Sequence, residues 1–283
     1  MPGPCLLNVV LGVGLLAAAA SRAAETTAIE LLVRGDDMGV CQAANEACIH
    51  SYRSGIVRSV EVIVPGAWFL DAVRLLNDNP ALDVGVHLTL TSEWERCKWR
   101  PLTHAPSLAD SNGYFYPTTS QRRDFPPSTG FLQANPKLDE VERELRAQIE
   151  LARRHLPGLS HVSAHMGTPV ATPQLKAIVL KLAQEYHLRL EDPGLKGARG
   201  FSGRTPAERE VTLVNLLEKL GPGRWLLVEH PGFDTPEMRG LGHWGYYDVA
   251  ADREGVTRAF TSDKVKAIIR QRAIQLISYA DLK

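Results

Sequence analysis

The sequence predicts an α/β protein, a single-domain distorted (β/α) barrel of the TIM type with about seven parallel strands. Three observations carry that prediction. Strand-like apolar runs alternate with helix-like runs from residue 28 to the C-terminus, the pattern of a parallel sheet with helical crossovers. The length, 283 residues, suits one barrel of roughly 250 residues. Four apolar runs each end in a cluster of titratable side chains, and in a parallel barrel those ends share one face. No GxGxxG follows the first strand, so a dinucleotide fold has no support.

The elements follow in order. Ala28 to Val33 is a short apolar strand, Ala43 to Ser54 a helix, and Val57 to Val64 a β-branched strand. Trp68 to Leu76 reads as helix and Leu82 to His87 as strand. Leu138, Val141, Leu145, Ile149 and Ala152 mark one face of a helix opened by Asn135-Pro136 and closed by Pro157-Gly158. Leu159 to Ala164 is the next strand. Thr172 caps a helix with Pro173 at its first position, and Leu188 to Leu190 is a brief strand. Thr205-Pro206-Ala207-Glu208 is a capping box for a helix ending near Gly221. Arg224 to Val228 is strand, Ser262 to Arg272 helix, and Ala273 to Ser278 the last strand. Two long insertions, Ser92 to Asn135 and Pro231 to Thr261, read as irregular and rich in Pro, Gly and aromatics. Segments of that length in a compact domain are usually functional.

The composition excludes several classes. Hydrophobic residues make up 44% and charged residues 23% of the chain, outside the range of disordered or collagen-like sequences. Basic and acidic residues balance at 32 each, so no overall field favours a nucleic-acid partner. Leu6 to Ala20 is almost wholly apolar and leads into Ser21-Arg22-Ala23. That run is shorter than the ~20 residues of a membrane span and matches a secretory signal. Residues 1–23 are therefore expected to be a signal peptide, residues 24–283 the barrel, and the mature protein extracytoplasmic; an uncleaved anchor is the competing reading. Cys41, Cys48 and Cys97 lack CxxC spacing, which disfavours a zinc–thiolate site. Cys41 and Cys48 stand too far apart on one helix to bridge each other. A disulfide through Cys97 and buried inert thiols remain the two readings.

The clusters at strand ends are Asp36-Asp37, His87, His165 and His230. One carboxylate and two imidazoles form a donor set for a divalent cation with a position left open for water, as catalytic sites require. Such an ion lowers the pKa of water to make a nucleophile at neutral pH. A neighbouring carboxylate then accepts the proton, and Asp36, beside Asp37, is the expected base. Successive residues of a regular strand face opposite ways, so both acids reach one site only if the chain bends there; Gly35 and Gly39 permit such a bend. His230 is the expected acid for the leaving group. His161 is weighted towards a structural role, and His243 towards a loop position with a substrate contact as the alternative.

Three segments in this order carry a resemblance: Asp36-Asp37-Met38-Gly39 with Asn45, Gly85-Val86-His87-Leu88-Thr89-Leu90-Thr91, and His161-Val162-Ser163-Ala164-His165-Met166-Gly167-Thr168. The chain resembles the YdjC/ChbG-like carbohydrate deacetylases from about Glu30 onward, including His230-Pro231-Gly232 and Ile277-Ser278-Tyr279. The resemblance implies a distorted barrel that hydrolyses the N-acetyl group of an amino sugar, such as a chitooligosaccharide. It implies a bound divalent cation, Mg²⁺ by family, whereas the donor set itself suits Zn²⁺. Asp37, His87 and His165 would be the ligands and Asp36 the base, with Asn45, Thr91 and Arg34 on the substrate side. The aromatic insertions would stack on sugar rings.

Two positions depart from the family pattern. Ser163 stands where an Asp is usual, two residues before the second histidine ligand, and the loss of a carboxylate there would remove an orienting group and weaken metal affinity or activity. Arg34 stands where Asn is usual, and a cation there favours ionised Asp36 or binds an anionic substrate. The alternative function is a non-catalytic sugar-binding barrel with a degenerate site. A metal-dependent phosphoesterase is disfavoured, because only Arg34 offers a basic group close in sequence to the cluster.

Overall fold

In the computed structural model, which describes residues 28–190 and 194–282 together with Met1 and Gly3, the first strand runs through the middle of the sheet. This strand, β1 (Ile29–Met38), carries Leu31, Leu32 and Val33 at 0% exposure. A central parallel strand is covered on both faces, hence the unbroken apolar run. Beside it lie β2 (Ser59–Val62), β3 (Asp83–Leu88), β4 (His161–Ala164), β5 (Arg189–Leu190), β6 (Lys196–Gly197), β7 (Gly223–Glu229) and β8 (Gln275–Ile277). The spatial order is β5-β4-β3-β2-β1-β7-β6, with β8 on β1 and every pairing parallel. Strand β8 pairs with Glu30–Leu32 and β2 with β1 from Arg34 onward, so the two share one edge of the long strand. The barrel is open: β5 and β6 are its edges and do not pair with each other among the described residues. The expected leader, residues 1–23, lies outside the described residues apart from Met1 and Gly3. No helix among the described residues is long and apolar enough to cross a membrane.

The crossovers are α1 (Gln42–Arg53), α2 (Phe69–Asn77), α3 (Leu138–His155), α4 (Pro173–Glu185), α5 (Pro206–Lys219), α6 (Val249–Thr261) and α7 (Asp263–Gln271). Thr172 and Thr205 cap α4 and α5 through side-chain oxygens, and Glu208 completes the capping box. The sequence reading did not find β6 or α6. The core-facing positions of α6 include Arg253, Gly255 and Thr257 beside Val249, Val256 and Phe260. A buried charge and a glycine interrupt the apolar stripe that marks a helix, so the second insertion is partly helical rather than irregular.

Candidate active site

The two acids at the end of β1 are brought together by a bulge. Gly35 pairs with Val60 and Met38 with Val62, so β1 spends one residue more than β2 between those points. Asp37 takes a left-handed conformation there, φ 71°, and Gly39 follows at φ 96°. A bulge re-aims side chains in this way, and the bend falls on Asp37 and Gly39 rather than on Gly35. A Cβ on Gly39 would meet Ile63 O at 2.5 Å. Asn45 clamps this turn. Its Oδ1 accepts from Gly39 N at 2.6 Å, and its Nδ2 donates to Trp68 O and Asp71.

His87 leaves the end of β3, and His165 follows β4, where left-handed Met166 and Gly167 turn the chain away. Asp37 Oδ1 lies 3.8 Å from His87 Nε2 and 3.5 Å from His165 Nδ1. One donor atom from each of the three residues falls within 4.8 Å of the others. Donors at about 2.1 Å from a tetrahedral ion stand ~3.4 Å apart, close to the two distances from Asp37. Asp37 Oδ1 is buried and has no hydrogen-bond partner, a costly arrangement for a carboxylate oxygen unless a cation completes it. The three residues therefore fit a divalent ion.

Each donor is held from behind. Arg253, on α6, donates from Nη2 to Asp37 Oδ2 at 2.7 Å, leaving Oδ1 for the centre. Burial alone would raise the Asp37 pKa, but Arg253 and His230 hold it well below the usual carboxylate range. His87 Nδ1 is hydrogen-bonded to Ser163 Oγ at 2.6 Å. Burial, helped by the neighbouring His165, pushes His87 down to about 3, so its ring is neutral as a ligand must be. His165 Nε2 bonds Glu93 Oε2 at 2.9 Å. Burial opposes charge on that ring, but Glu93 and Asp37 outweigh it and raise the pKa to about 10. Without an ion the ring therefore holds a proton between the two carboxylates, and an ion at the centre would displace it from Nδ1. Ser163 therefore orients His87, and the carboxylate behind His165 comes from Glu93.

Asp36 is 3% exposed and gripped by Arg34, with Nε to Oδ1 at 2.7 Å and Nη2 to Oδ2 at 3.1 Å. Arg34 is itself 4% exposed and also contacts Tyr279 OH at 3.0 Å and Glu61 at 3.7 Å. It braces the acid from inside the barrel and does not line the cavity. Burial pushes Asp36 up to about 7, against the pull of Arg34. Behind this pair, Glu61 bonds His161 at 2.6 Å, and His161 stacks on Tyr279 with centroids 3.9 Å apart. Only glycine fits beside them at position 85, where a Cβ would meet His161 Nε2 at 2.3 Å.

A cavity of about 390 Å³ opens over Asp36, Asp37, His87, His165, His230 and Arg253. His230 Nε2 is 3.9 Å from Asp37 Oδ2, and its partly exposed ring stands at the mouth. His243 also lines the cavity, stacked on Trp94. Asn45 and Thr91 do not line it: Asn45 serves the turn, and Thr91 Oγ1 meets Thr168 in the interior. Trp99, Phe115 and Phe131 of the first insertion are likewise core, at 3% exposure or less, whereas Trp94 lines the cavity and Trp244 and Tyr247 are exposed. Sequence reasoning missed Glu93, Arg253 and Glu61. Glu93 is the first acid after the His87 strand end, a usable signal; Glu61 and Arg253 gave none within their own segments.

Fold and site together define an open (β/α) barrel with a carboxylate–imidazole centre at the carboxyl ends of its strands. Residues 30–271 match the family model described as YdjC-like protein, and the chain belongs to that family. A carbohydrate deacetylase of Thermus thermophilus is 33% identical over 238 residues, spanning 76% of this chain and 81% of the relative. A carbohydrate deacetylase of Brevibacillus brevis is 29% identical over 280 residues, 90% of this chain and 100% of the relative. Among solved structures, an Enterococcus faecalis V583 protein whose name refers to cellobiose-phosphate cleavage superposes with a TM-score of 0.73 at 24% identity. That alignment covers 90% of this chain and 99% of the other, and shares the fold.

Proposed function

We propose that the protein is a metal-dependent carbohydrate deacetylase that hydrolyses the N-acetyl group of an amino sugar to acetate and a free amine. The observation that carries this reading is the buried Asp37 Oδ1, without a hydrogen-bond partner and facing His87 and His165, with a second carboxylate one residue away. The names of the curated relatives point the same way. Asp37, His87 and His165 would hold a divalent cation, which would supply Lewis acidity to water and to the acetyl carbonyl oxygen. Asp36, held near neutrality and fixed by Arg34, accepts the proton of the attacking water. As the carbon–nitrogen bond breaks, the proton taken by Asp36 must reach the leaving amine. His230, at the mouth of the cavity and kept neutral by burial, which lowers its pKa to about 4, is placed to relay it. Arg253 keeps Asp37 ionised and aimed at the centre.

The test is acetate release from a panel of N- and O-acetylated sugars by the wild type and by Asp36→Asn. The proposal expects release from N-acetylated amino sugars, abolished in the variant. Absence of acetate from every sugar in the presence of added divalent metal would refute it and favour a non-catalytic sugar-binding barrel.

A further inference from the structure

A second cavity, about 350 Å³, adjoins the catalytic one, and Glu93 lines both. Its remaining wall comes from the two insertions: Glu95, Lys98, Asp110 and Phe125 from the first, and Trp244 from the second. The two insertions are tied together at this wall. Glu95 N donates to Gly242 O at 2.9 Å, and Tyr247 OH donates to Glu95 Oε1 at 2.8 Å. The rim is therefore fixed by bonds between the insertions.

The lining pairs a flat apolar surface with excess negative charge. Trp244 is 56% exposed, large for a tryptophan, and Phe125, Pro117 and Pro126 extend the apolar wall. Aromatic faces suit the C–H face of a sugar ring. Three carboxylates face one lysine, whose Nζ is tied to Ser92 O at 2.7 Å. Glu93 is committed to His165. Among the described residues, Glu95 accepts only through Oε1, and Asp110 only through Oδ1, from Asn112 N and Tyr114 N. The other oxygen of each is free to accept from a ligand.

We propose that this cavity is the subsite for a second sugar ring, a hexosamine carrying a free ammonium, joined to the acetylated ring in the catalytic cavity. The ring stacks on Trp244, and its ammonium and hydroxyls donate to Glu95 and Asp110. Rings bearing phosphate or carboxylate are repelled by the same wall. The proposal rests on the deacetylase reading and names the substrate class, a partly deacetylated oligosaccharide.

The experiment compares three substrates: N-acetylglucosamine, its diacetylated dimer, and the dimer with one acetylated and one free-amine ring. Acetate release is measured for wild type, Trp244→Ala and Glu95→Gln at low and high salt. Wild type is expected to favour the free-amine dimer over the diacetylated dimer by about three- to fivefold in kcat/KM, the yield of one or two exposed charge contacts, and to lose that preference in high salt. Glu95→Gln should reduce the preference to below about twofold. Trp244→Ala should raise KM for both dimers by roughly three- to tenfold, while neither variant alters the monosaccharide. Dimers that behave alike in wild type and both variants would overturn the subsite while leaving the deacetylase reading intact. If no sugar yields acetate, that reading fails, and equilibrium titration with the free-amine dimer decides the subsite. Weaker binding in both variants supports it, and unchanged binding overturns it.

Discussion

Arg253 and Asp37 are 216 residues apart in the chain, yet their side chains meet at 2.7 Å with both buried. The bond fixes which oxygen of Asp37 is spent and which faces the imidazoles. It also explains why a helix that crosses the barrel late in the chain carries an arginine on its core face. Removing one partner of a buried ion pair costs about 3–5 kcal/mol, because the other charge is left unpaired. Arg253→Met should therefore lower the Tm markedly, and a divalent cation should restore part of the loss. Unchanged thermal unfolding would show that the pair is not structural.

Glu93 and Ser163 stand behind the two histidines. Groups in that position set ring orientation and basicity, and their loss typically costs 10- to 100-fold in metal affinity. Glu93→Gln should weaken metal binding by about that factor, measured by competition with a chelating dye. Ser163→Ala should act in the same direction and by less, since a neutral hydroxyl is replaced. Equal affinity in wild type and Glu93→Gln would contradict the role given to Glu93.

Asp36 and Asp37 are neighbours with separable tasks. Asp36→Asn should lower turnover by roughly 10²- to 10⁴-fold, the usual worth of a general base, while one equivalent of metal still binds. Asp37→Asn should lose the metal itself. A variant pair in which both changes abolish metal binding would show that the two acids act as a single ligand group.

The network behind the base predicts an acid-dependent stability. Burial opposes charge on Glu61, but His161 and Arg34 hold its pKa down at about 2. A carboxylate depressed on folding contributes stability that is complete above its unfolded pKa near 4.3 and lost as pH falls towards 2. The contribution is about 3 kcal/mol on this scale. The urea midpoint of wild type should therefore lead that of Glu61→Gln at pH 6, with the lead shrinking between pH 5 and 2. A constant gap across that range would rule out the ion pairing.

The thiols are expected to differ in reactivity. Cys41 and Cys48 are buried, and burial pushes Cys41 up to about 12 and raises Cys48 as well. Cys97 is partly exposed. Brief alkylation of the native protein followed by peptide mapping should label Cys97 and spare the other two; labelling of Cys41 or Cys48 would mean that the β1–α1 region opens.

Most strands and helices were legible because their apolar runs are short, bounded by Pro, Gly or capping residues, and uninterrupted in the core; β6, two exposed residues, has no such run. Asp36, Asp37, His87 and His165 could be read because each directly follows such a run. Arg253 could not, since a buried arginine looks in sequence like a break in the helix that carries it. Asn45 and Thr91 looked functional because they sit in the same motifs as the proposed ligands, yet their side chains bond inward, to the Gly39 turn and to Thr168. Arg34 looked like a substrate contact, and its position is legible only once Glu61 on β2 and Tyr279, just past the end of β8, are seen converging on it.

The most direct test of the account is the return of acetate release after chelation. Wild type stripped of metal should lose activity towards N-acetylated amino sugars and regain it on adding one divalent ion per chain, while stripped Asp37→Asn regains none. Full activity in the stripped enzyme, or equal recovery in the variant, would contradict an ion held by Asp37, His87 and His165.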